Sequence, residues 1–63
     1  MREYIKVRTI TQLEKVIEDF SDIDVYISPV VRNQFLLCTP EIINYLNNKA
    51  LNKNINIVED ICL

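Results

Sequence analysis

The chain has 63 residues, 49% of them hydrophobic, with seven basic and nine acidic side chains and a net charge of −2. A chain this short is one domain, residues 1–63, and a domain of about 60 residues buries only about 60% of the surface its unfolded chain exposes, so help from a partner or a second copy is expected. The absence of His and Gly removes the commonest general base, the Ser/His/Asp and Cys/His arrangements within one chain, and the glycine-dependent Walker and dinucleotide loops.

Residues 3–10 alternate, with Ile5 and Val7 on one side and Tyr4, Lys6 and Arg8 on the other, which predicts a half-buried strand. Thr11 and Glu14 have the spacing of a capping box. The helix they open carries Leu13, Val16, Ile17 and Phe20 on one stripe and ends at Ser21-Asp22. Ile23–Ser28 reads as a second strand that Pro29 stops, because Pro cannot donate to a ladder. Val30 to Gln34 reads as a connection, with Asn33 a natural turn residue. Phe35 to Cys38 reads as a third strand, apolar on both sides. Thr39-Pro40-Glu41 then starts a second helix: Thr caps, Pro loses no needed N–H at the first position, and Glu suits the positive end of the dipole. Its stripe is Ile42, Ile43, Leu46 and Ala50, and Asn52 to Asn54 end it with Asn suited to a left-handed cap. Ile55–Ile61 reads as the last strand, with Ile55 and Ile57 opposite Asn56, Val58 and Asp60.

This order, β-α-β-β-α-β, predicts an α+β ferredoxin-like two-layer sandwich: a four-stranded antiparallel sheet with two helices on one face. The competing architecture is a small three-layer or parallel α/β arrangement. In the sandwich one sheet face has no helix over it. Tyr4, Tyr26, Val58 and third-strand residues such as Leu36 fall there, rimmed by Lys6, Arg8 and Asp60. Apolar and aromatic residues within a charged rim are the composition of a contact surface. Arg32, at the tip of the predicted β–β connection, adds a bidentate cation that can set orientation.

The remaining chemistry is sparse. Cys38 and Cys62 cannot form a four-ligand zinc site. The predicted strand order holds them too far apart for a disulfide, which leaves buried free thiols and a reducing, cytoplasmic setting. Glu59 and Asp60 are neighbours on a strand and point apart, which makes a poor acid/base pair. The acidic balance argues against a phosphate-neutralising nucleic-acid surface. Arg2, Glu3 and Lys6 interrupt any signal-peptide core, and the longest apolar run, Phe35 to Cys38, is far short of the ~20 residues a membrane helix needs.

These observations point to a non-enzymatic module without cofactor or metal that binds another protein, a second copy of itself, or both, using Tyr4, Lys6, Arg8, Tyr26, Arg32, Leu36 and Val58. Richness in Ile, Asn and Lys, the residues of AT-rich codons, associates the chain with an AT-rich bacterium or a phage or mobile element within one. A small regulator or inhibitor acting by steric occlusion fits that setting. The alternative is a ligand-sequestering or nucleotide-binding homo-oligomer that holds a small anion through Lys6, Arg8 or Arg32.

Overall fold

The computed structural model describes residues 2–62. Its elements are β1 (Tyr4–Val7), α1 (Ile10–Asp19), β2 (Asp24–Ile27), α2 (Pro29–Leu36), α3 (Pro40–Asn52) and β3 (Asn56–Glu59). The strands form one sheet in the order β1-β2-β3, and both pairings are parallel. The fold is therefore α/β, a three-stranded parallel sheet with three helices in its crossovers, and the four-stranded antiparallel sandwich is overturned.

A single element causes the correction. Residues 35–38 are not a strand: Phe35 and Leu36 complete α2, and Leu37 and Cys38 follow it. Ser28 caps this helix, its hydroxyl accepting from the Val31 N–H at 3.2 Å, and Pro29 occupies the first turn. Val31 and Phe35, four residues apart, bury themselves on the same stripe. Pro29 thus ends a strand and begins a helix, the same device as Thr39-Pro40. Asn33 lies inside α2 rather than in a turn. Once 29–36 is helical, no short β–β connection remains. The chain crosses from β2 to β3 through two helices, and a crossover returns the strand parallel.

Helix α1 also begins earlier than the Thr11 reading expects. Thr9 is its cap and accepts from the Gln12 N–H at 3.1 Å, while the Gln12 side chain accepts from the Arg8 N–H. The capping pair is Thr9 and Gln12, with Gln12 reaching the N–H one residue before the cap, two residues upstream of Thr11-x-x-Glu14. Helix α3 matches its reading: Thr39 accepts from the Ile42 N–H, Pro40 opens the first turn, and Glu41 sits in it. Asn54, just past its end, has φ 58°, where Asn is better tolerated than most residues. Asp22, after α1, has φ 56°, and the Asn54 amide donates to its carboxylate at 3.0 Å. Lys53 donates to the Ile17 and Glu18 carbonyls at the end of α1, which satisfies acceptors the helix cannot.

Val7, Val25 and Ile27 of the strands share one buried cluster with Leu13, Val16 and Ile17 of α1, Val31 and Phe35 of α2, and Leu46 and Ala50 of α3. All three helices therefore lie on the same face of the sheet. The Cα envelope measures 32 × 27 × 14 Å, and its short dimension suits one helix layer on one sheet, whose separation is about 10 Å. Among the described residues no layer covers the other face.

Candidate functional site

Strand pleating sends alternate residues to opposite faces, so the register defines the helix-free surface. Tyr4, Asp24 and Asn56 form one row across the three strands, and Lys6, Tyr26 and Val58 form the next. Tyr4 and Tyr26 meet edge to face, with ring centroids 5.6 Å apart and planes at 81°, a favoured aromatic geometry. Tyr4 stays 58% exposed and Val58 39%. Lys6 and Asn56 are exposed and Tyr26 is half-buried.

The first row is organised by charge. Arg2 donates from Nε to Asp24 Oδ1 at 2.8 Å and from its guanidinium to the Asn54 carbonyl at 2.7 Å. Asn56 Nδ2 donates to the same carboxylate oxygen at 3.1 Å. The Arg2 hydrogen bond, then that of Asn56, holds the Asp24 carboxyl below the usual carboxylate range. This Arg2–Asp24–Asn56 network is not visible in the sequence, because only the register brings positions 2, 24 and 56 together. Its signal is faint: polar residues at strand positions facing away from the apolar set.

The sequence-predicted contact residues divide into two groups. Tyr4, Lys6, Tyr26 and Val58 share the helix-free face, and Arg8 continues the β1 alternation beyond the strand end. Arg32 and Leu36 do not belong there, since both ride on α2. They line a groove of about 360 Å³ along the open edge of β3 with Phe35, Asn47, Ile57 and Glu59. Arg32 Nε stands 3.6 Å from Glu59 Oε2 across this groove. Leu36 is 53% exposed, so this apolar residue is a surface feature of the helix layer rather than of the bare sheet face.

Cys38 and Cys62 are free thiols, and Cys38 Sγ donates to the Gln34 carbonyl at the end of α2. The expectation that strand positions separate them gives way with the third strand, and Cys62 is exposed rather than buried. Among the described residues, no three His, Cys, Asp or Glu side chains gather to hold a metal ion. No helix among them is long and apolar enough to cross a membrane.

A scan against protein-family models finds no match, and searches of curated proteins and of solved structures find nothing similar to this chain.

Proposed function

We propose that this chain is a non-enzymatic protein-binding module whose contact surface is the helix-free face of its sheet. One observation carries the reading. Parallel sheets occur almost only with both faces covered, and this one presents Tyr4, Tyr26 and Val58 with no described element above them. Tyr is enriched in contact cores because a large apolar ring and a hydroxyl lose little conformational freedom on burial. Lys6, Asp24 and Asn56 supply polar groups that set orientation. The module acts sterically, by occupying the surface it covers, as a small regulator or inhibitor does. Its free cysteines suit a reducing cytoplasm.

The test compares the two surfaces. Immobilised wild-type protein, Tyr26→Asp and Leu36→Asp are exposed to bacterial lysate, and retained proteins are purified and titrated against each form. A partner held by wild type and Leu36→Asp, and lost with folded Tyr26→Asp, supports the reading. A partner that ignores Tyr26→Asp but is lost with Leu36→Asp moves the site to the β3-edge groove and overturns it.

A further inference from the structure

We propose that the occupant of the helix-free face is a second copy of this chain, related to the first by a twofold axis running along the strands. The inference rests on the reading of that face as a contact surface and names what it contacts.

The charge layout selects the occupant and the axis. On this face Lys6 belongs to the β1 side, and Arg8 follows two residues on, just past the strand end. Asp60 extends β3 at the opposite side, and its backbone N–H still pairs with the Ile27 carbonyl. Arg2 and Asp24 neutralise each other between them. A twofold along the strands lays β1 of one copy over β3 of the other and keeps every row at its own height. Lys6 then lies over Val58 of the second copy and Arg8 is level with Asp60, twice per dimer; Tyr26 meets its own counterpart at the centre, as does Asp24, whose charge Arg2 already offsets. A twofold across the strands instead sets Lys6 over Lys6, with like charges opposed. Face-to-face sheets pack with strands nearly aligned, at about 30°, which either axis allows, so the charges make the choice. The symmetry makes the surface self-complementary, as an isologous contact requires.

The size of the face sets the strength. Three strands spaced by about 4.8 Å, over about six residues at about 3.3 Å each, make a patch of roughly 14 by 20 Å. That is about 280 Å² per copy, below the roughly 800 Å² per partner of a standard specific contact and in the range of weak, transient ones. The dimer is therefore weak and concentration-dependent, and it is sought up to millimolar protein.

Sedimentation equilibrium decides the matter. Wild type moves from 7.4 kDa toward twice that mass with rising concentration. Lys6→Glu/Arg8→Glu and Asp60→Lys each weaken self-association at least tenfold, because both symmetric contacts become repulsive. An equimolar mixture of these two variants recovers the dimer. In it, the acidic side chains at positions 6 and 8 of one variant meet the lysine at position 60 of the other, and the unaltered Asp60 meets the unaltered Lys6 and Arg8. Asp60 Oδ1 also accepts from the Cys62 N–H at 2.9 Å, so Asp60→Asn, which keeps an acceptor there, separates loss of charge from loss of the turn and also weakens association. Circular dichroism checks that each variant is folded. A wild type that stays monomeric to 1 mM overturns the second copy, as does a mixture that associates no better than its components. If wild type is monomeric while a purified partner still depends on Tyr26, only the second copy fails; if that partner ignores Tyr26→Asp, the contact surface fails with it.

Discussion

Alternate residues of the same short strands supply both faces of this sheet, and the two faces end differently. Under the helices, Val7, Val25 and Ile27 are at most 3% exposed, in one cluster with aliphatic residues from all three helices. On the bare side, Tyr4 is 58% exposed, and the first row is tied by a hydrogen-bonded carboxylate rather than by packed methyl groups. The first face makes the fold, and the second is the one proposed for association. A two-layer architecture can do this only if the covered face alone outweighs the chain's conformational entropy.

The largest effect comes from damaging the covered face. Leu13, fully buried in α1, belongs to the cluster that joins every helix to the sheet. Leu13→Ala is expected to cost about 2–5 kcal/mol against a total stability of about 3–9 kcal/mol for a chain of this length. Urea unfolding followed by circular dichroism should show a collapsed midpoint or no transition, and an unchanged midpoint would mean that this face is not what holds the fold.

Next in size is the element that separates the parallel from the antiparallel architecture. Ser28→Ala removes the α2 cap and should cost about 1 kcal/mol, with amide exchange quickening first in residues 29–33. If 29–36 were a loop and strand, that hydroxyl would have no helix to cap and the exchange rates would stay put.

On the bare face, Tyr4→Ala removes the edge-to-face partner of Tyr26, an interaction of about 0.5–1.5 kcal/mol beyond area burial. A loss approaching that of Leu13→Ala would show Tyr4 to be part of the core and erase the contrast between the faces.

The smallest effect is electrostatic. Because hydrogen bonds from Arg2 and Asn56 lower the Asp24 carboxyl in the folded state, its stabilisation is present above the unfolded carboxylate value near pH 4. It disappears as the pH falls through the lowered folded value. Arg2→Ala should move the Asp24 titration, read by carboxyl NMR, back toward the ordinary range and flatten the acid limb of stability. A titration unmoved by the substitution would remove Arg2 as the cause.

Much of this molecule was legible in order. The helix from Pro40 is announced by Thr39, Pro40 and Glu41, and its end by Asn54, because capping chemistry is local and a few consecutive residues satisfy it. The facing of β1, β2 and β3 follows from pleating alone, so Tyr4, Lys6, Tyr26 and Val58 fall together whether the strands pair parallel or antiparallel. That is why these four share the bare face although the predicted sheet was a different one. Leu36 and Arg32 were misplaced because Phe35-Leu36-Leu37-Cys38 is an apolar run with no period of its own, and short runs fit a strand and a helix end equally well.

By itself the sequence determined where α3 starts and stops and which residues of each strand share a side, because hydrogen-bond satisfaction at caps and the twofold pleat act within a few residues. Only the tertiary structure decided the strand direction, helix α2, and the meeting of Arg2, Asp24 and Asn56. Those depend on how far-apart segments bury apolar surface together, and Val31 and Phe35 reach the core only when residues 29–36 wind into a helix.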